Sequence, residues 1–323
     1  MDGLTGDEPF YIDMGFDDCQ TEPMTLVRLC TAGERIVPLL ETAYQDASPP
    51  RHPEPSEGSA SPEHPPRHPE HPPRHPEHRE GSAPPDPDHR SAKRRLLLAR
   101  LLAWYGSPAG LELLAETIER GLASGSLPVR ESKIRHAGLP PDQGAMPDLC
   151  YLIFTLGMVR APVGSPERRR ILRVLARVTD CVRPVADDFR DRTNGVFHYV
   201  EAVCHVSERL ADPECIPLLL ALHSRDGLHD LQSRAAEADF FLERMAYLEV
   251  TIGRALARCG APQGVEFLAS FLDDARAILA EHAHDELVAV TGQDFGKDAG
   301  AWCEWLGANA AHLRPQPWTQ RID

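Results

Sequence analysis

Three short stretches bring together residue types capable of chemistry. Residues 292–298, GQDFGKD, place two glycines, a lysine and two aspartates within one loop, the raw material of a phosphate cradle. The glycine spacing is one residue short of the phosphate-loop pattern, and Asp298 stands where a Ser or Thr would hold magnesium, so no nucleotide site is expected there. HYVEAVCH, residues 198–205, sets His198 and His205 seven apart with Glu201 between them, which puts them near one helical face. The zinc signature HExxH is absent, and Cys204 points elsewhere. EHAHDE, residues 281–286, holds His282 and His284 two apart, on different sides of a helix. Satisfied or exposed histidines explain both groups. No Ser/His/Asp or Cys/His arrangement can be argued from spacing, so no catalytic, cofactor-binding or metal-ligating residue is assigned.

Two further stretches carry charge rather than reactivity. The tract EHPPRHPEHPPRHPEH, residues 63–78, repeats a seven-residue unit in which prolines enforce extended geometry and prevent a packed core. Its His64, His68, His71, His75 and His78 are ligands that a borderline metal would accept, but ordering so flexible a set costs entropy. A disordered insert is the expected reading. The stretch PERRRILRVLARVTDCV sets Arg169, Arg170, Arg173 and Arg177 opposite an apolar stripe. Such a face is ordinarily solvated; the alternative is a docking surface for an acidic partner, carried by Arg169, Arg173 and Arg177. The first 22 residues contain seven acids and no base, which makes them a candidate intramolecular partner for that face.

Bulk properties narrow the classes. The 323 residues are 42% hydrophobic, enough for a sizeable core, and no apolar run reaches the length of a membrane span, so no membrane partner is expected. A formal charge of −15 argues against nucleic-acid binding, which needs a surplus of Lys and Arg. The acidic N-terminus does not read as a signal peptide. Eight scattered cysteines with no CxxC suit a reducing, cytoplasmic setting.

The elements that would position these residues repeat along the chain. AGERIVPLLETA from residue 32, SPAGLELLAETI from 107, SPERRRILRVLARV from 165, DPECIPLLLALH from 212 and APQGVEFLASFL from 261 each open on a turn and launch a helix. Pro108, Pro213 and Pro262 fall where a first helical turn tolerates proline. Apolar residues then recur at helical spacing: Ile36/Leu39/Leu40/Ala43, Leu111/Leu114/Ala115/Ile118, Ile171/Val174/Leu175/Val178, Ile216/Leu219/Leu220 and Val265/Leu268/Ala269/Leu272. A second helical stretch precedes four of them, with stripes such as Leu98/Leu101/Leu102/Tyr105 and Leu149/Leu152/Ile153/Leu156, while strand-like alternation is nearly absent. The unit is therefore a helix pair, and the Pro-rich residues 47–91 interrupt an array of such pairs.

The launch pattern D/S-P-x-x-[ILV]-x-x-L, after a helix ending in Gly or Ala, resembles HEAT-like repeats of the phycobilisome-lyase type over most of residues 24–273. The resemblance implies an all-α fold, an α-solenoid of about five HEAT-like helix pairs. Its divisions are an acidic segment 1–23, first repeat helices 24–46, the insert 47–91, repeats 92–290 and a closing segment 291–323. That segment, LVAVTGQDFGKDAGAWCEWLGANA, is similar to a tail of bacterial HEAT-repeat proteins in which a TG..FG turn precedes a Trp-rich helix. Asp298 would be the N-cap, and Trp302, Trp305 and Leu306 the face that closes the last repeat; alternatively Trp302 and Trp305 form a binding patch. The chromophore-lyase activity of some relatives does not carry over, because no matching catalytic residue is present. The resemblance implies a non-catalytic scaffold with a protein partner bound on a face lined by the second helix of each pair, or alternatively an accessory module of an FAD-dependent oxidoreductase.

Overall fold

The computed structural model describes residues 33–47, 87–128, 146–182, 196–235 and 240–318, and among these residues it is all-helical, with no strand. The acidic N-terminal segment and the Pro/His tract lie outside the described residues. Eleven α-helices follow in order among them: α1 (Val37–Asp46), α2 (Pro87–Trp104), α3 (Leu111–Gly121), α4 (Asp148–Leu156), α5 (Pro166–Cys181), α6 (Val196–Leu210), α7 (Ile216–His223), α8 (Phe240–Arg258), α9 (Pro262–Ser270), α10 (Ala277–Thr291) and α11 (Ala299–Asn309). Short 3-10 turns at Gly33–Ile36, Pro213–Cys215 and Ala310–His312 lead into α1, lead into α7 and follow α11.

Capping explains several of the starts. Ser165 Oγ accepts from Arg168 N at 3.1 Å with Pro166 as the first helical residue of α5, and Asp298 Oδ1 accepts from Ala301 N at 3.0 Å at the head of α11, as its sequence position predicts. Pro262 opens α9 and Pro213 opens the 3-10 turn. Pro108 differs: it stands three residues ahead of α3, in the entering turn, where its carbonyl accepts from Leu111 N at 2.9 Å.

Three of the five stripes are buried in full: Leu111/Leu114/Ala115/Ile118, Ile171/Val174/Leu175/Val178 and Val265/Leu268/Ala269/Leu272. Two depart from the expected register. On α7 the buried residues are Leu219 and Leu222, continuing from Cys215 of the preceding 3-10 turn, with Ile216 and Leu220 half-buried. A 3-10 turn advances about 120° per residue instead of 100°, so the turn before α7 rotates the face that enters the core. On α1, Leu39 is 61% exposed, while Leu40, Ala43 and Tyr44 face α2.

The helices touch in a regular alternation. Even-numbered helices meet in succession, α2 with α4, α4 with α6, α6 with α8 and α8 with α10; α3 meets α5, α5 meets α7, and α9 meets α11. Each of α1, α3, α5, α7 and α9 also leans on the even helix that follows it. Two hairpins close at backbone contact: a Cβ on Gly110 would lie 2.5 Å from Ala99 Cα, and one on Gly264 would lie 2.1 Å from Ala257 N. Gly110, directly before α3, and Gly264, in the first turn of α9, therefore let α3 settle on α2 and α9 on α8. One buried cluster runs from Leu40 to Ala261, and a second, from Ala246 to Leu306, meets it on α8. Each fully buried Leu, Ile or Val in these clusters contributes roughly 1.5–3 kcal/mol.

Candidate functional site

The arginine run of α5 divides three ways, because successive residues on a helix point about 100° apart. Arg168 turns into the core, 8% exposed, where it pairs with Asp212 at 3.1 Å and donates to Leu210 O at 2.8 Å. Arg170 turns toward α3, donating from Nε to Glu112 at 3.0 Å and from Nη2 to Glu119 at 2.8 Å. It therefore fastens α5 to α3 and leaves the solvent-facing set in which the sequence places it. Arg169, Arg173 and Arg177, spaced four apart, remain exposed along one ridge.

No carboxylate lies within ion-pair distance of these three among the described residues. Arg177 Nη2 lies 3.4 Å from Leu122 O, just past the end of α3, and Arg169 donates to Gly164 O. The Arg170 guanidinium holds the Glu119 carboxyl below the usual carboxylate range, with Arg173 and Arg177 adding at longer range. The ridge is a row of guanidiniums that can fork onto carboxylates, a binding chemistry and not a reactive one.

The tryptophans separate as well. Trp302 is 0% exposed, donates from Nε1 to Gly296 O at 2.9 Å and meets Phe295 edge-on at 4.9 Å, so its ring faces the core and offers no surface to a partner. Trp305 is half-buried, 6.5 Å from Trp302. Trp302 and Leu306 are buried where α11 packs on α9. GQDFGKD is the turn that allows this: Gly292 (φ +69) ends α10, Gly296 has φ +58, and Asp294 Oδ1 accepts from Gly296 N at 2.9 Å.

The histidine groups go to separate partners. His198 Nδ1 lies 3.6 Å from Glu201 and His284 Nε2 is 3.1 Å from Asp294, while exposed His282 meets the Tyr247 ring edge-on at 6.1 Å. No group of three or more metal-capable side chains is assembled among the described residues. Buried Glu249 has no sequence signal, yet it accepts from Asp230 N, Leu231 N and Gln232 Nε2 and faces His223, tying the segment after α7 to α8.

Two groups on α6 favour their uncharged forms. His205 Nε2 receives Arg209 Nε–H at 3.0 Å, which requires a neutral ring, and burial, with Arg209 and Arg254 nearby, pushes its pKa down to about 4. Glu208 accepts from Arg254 Nε at 2.7 Å on one oxygen while Oε2 is buried without a hydrogen bond; burial outweighs Arg254 and pushes the carboxyl up to about 7. The depressed histidine stabilises the fold above its ordinary value of 6.5 and loses that contribution as pH falls toward 4. The raised carboxyl stabilises it below 4.5 and loses that contribution as pH rises toward 7. The two contributions change in opposite directions with pH and so offset one another in the intact chain. Relative to wild type, Glu208→Gln is expected to lose stability on acidification from pH 6.5 to 4, and His205→Phe on going from pH 4.5 to 7. Urea unfolding across pH 4–8 checks both; slopes unchanged from wild type would contradict the assignment.

Comparison of the chain with protein-family models, with curated proteins and with solved structures finds no match. No helix among the described residues is long and apolar enough to cross a membrane.

Proposed function

We propose that the chain is a non-catalytic α-solenoid of about five HEAT-like helix pairs closed by α11, which docks an acidic segment of a protein partner on the row Arg169, Arg173 and Arg177. The alternating contacts of the helices support the stack, since every pair finds apolar cover in its neighbours. The observation that carries the docking site is the exposed row itself: three guanidiniums with no carboxylate at ion-pair distance among the described residues, in a chain of net charge −15 whose neighbouring Arg168 and Arg170 are already matched to acids. The row lies on α5, the second helix of its pair, and carboxylates suit the forked guanidinium geometry.

A labelled poly-glutamate chain is the probe. It is expected to bind the wild-type protein at low ionic strength, to weaken as salt rises, and to lose roughly 10-fold in affinity when Arg169, Arg173 and Arg177 are all changed to Glu. Equal binding to both proteins, or tighter binding of a labelled single-stranded oligonucleotide than of poly-glutamate, would overturn the reading.

A further inference from the structure

Beyond the last 3-10 turn, Leu313–Trp318 runs back across the ends of three even-numbered helices. Gln316 Nε2 donates to Val290 O at the end of α10 at 2.6 Å, and Gln316 N to Arg258 O, the last residue of α8, at 2.8 Å. Trp318 N then donates to Glu208 O in the last turn of α6 at 2.9 Å. Carbonyls in a final turn have no partner within their own helix. The other three at the end of α8 (Ala255, Leu256 and Ala257) are taken by Cys259, Ala261 and Gly260, which leaves Arg258 O for the tail.

The sequence of the tail fits this row of acceptors. Pro315 and Pro317 lack an N–H, so residues 315–318 have two backbone amide donors, and both are used. Gly260, at φ +85, gives Pro315 its place; a Cβ there would come within 3.2 Å of Pro315 N. At the far end the Trp318 ring lies 5.1 Å from the Arg209 guanidinium and 5.7 Å from the His205 ring, which in turn meets Phe154 of α4 edge-on at 5.1 Å. The tail itself sits shallowly: Arg314–Pro317 are exposed, and Leu313 and Trp318 are half-buried. The trough is thus built of well-held residues, and its occupant is held by two backbone amides together with the Gln316 side chain and the Trp318 ring, the combination of main-chain bonds and side-chain anchors by which extended peptides are recognised.

We propose that the trough across the ends of α6, α8 and α10 is a recognition site for an extended Pro-x-Pro-Trp segment of a protein partner, filled in cis by the chain's own residues 313–318 until a partner displaces them. Helix-end carbonyls select the alternating amides, Gly260 admits the proline, and Arg209 with His205 receives the tryptophan.

The probe is a fluorescent peptide of residues 311–323, titrated by anisotropy against full-length wild type and full-length Trp318→Ala. The variant vacates the trough and is expected to bind the peptide roughly 10-fold or more tighter than wild type, whose own tail competes at high effective concentration. Peptides carrying Trp318→Ala or Gln316→Pro are expected not to bind. If the Trp318→Ala chain does not fold, full-length Gln316→Pro, which removes the amide donated to Arg258 O, carries the same expectation. A folded variant that ignores the peptide, equal affinity for variant and wild type, or equal binding of the altered peptides would overturn the proposal. A concentration-dependent dimer of wild type, abolished by Trp318→Ala, would assign the trough to the tail of a second copy and overturn the partner assignment.

Discussion

Trp302→Ala is expected to destabilise the C-terminal part of the chain by about 3–5 kcal/mol, the cost of deleting a large side chain from a site that cannot collapse. The ring is 0% exposed, packs against Phe295 and Trp305, and spends its one donor on Gly296 O at 2.9 Å. Its loss opens a cavity between α11 and α9 and leaves the Gly296 carbonyl without that bond. If the helix pairs stack as proposed, the damage falls first on the C-terminal helices, so urea unfolding should show an early transition that wild type lacks. Trp302→Phe, which keeps a ring but not the N–H, should recover part of the loss. A midpoint within error of wild type for Trp302→Ala would contradict the assigned role.

Asp212→Ala is expected to cost a comparable 3–5 kcal/mol, roughly, because it strands Arg168 as an uncompensated buried charge. The two side chains are 9% and 5% exposed and lie 3.1 Å apart, joining the first turn of α5 to the link between α6 and α7. The other Asp212 oxygen accepts from Glu214 N at 2.9 Å, so the 3-10 turn that sets the α7 register loses its cap as well. Replacing both partners, Arg168→Met with Asp212→Ala, should restore much of the stability, since a buried ion pair and an apolar substitute are close in energy. Thermal unfolding of the single and double variants separates the outcomes. A single variant as stable as the double would contradict the buried-charge account.

What the sequence made legible was what a helix writes locally. The stripes at Leu111, Ile171 and Val265 needed only the 3.6-residue period, and the cap at Asp298 needed only an acid ahead of an apolar helix. The departures come from geometry that periodicity does not encode. A 3-10 turn rotated α7, and Leu39 stays in solvent on a helix whose inward residues face α2. The arginine run was legible as a charged face but not in its division, because the fates of Arg168 and Arg170 depend on Asp212, Glu112 and Glu119, acids 44 or more positions away in sequence. One signal was available: three consecutive arginines on a helix cannot share a face. Glu249 and the tail contacts of Gln316 and Trp318 were illegible for the same reason, since their partners are backbone groups brought near by the fold.

Amide hydrogen exchange resolved helix by helix, on wild type and Trp302→Ala, tests the stacking of helix pairs most directly. Stacked pairs that depend on their neighbours should lose protection in α9, α10 and α11 while α2 through α5 exchange as in wild type. A loss of protection spread evenly from α2 to α11 would mean one cooperative globule and would contradict the stack.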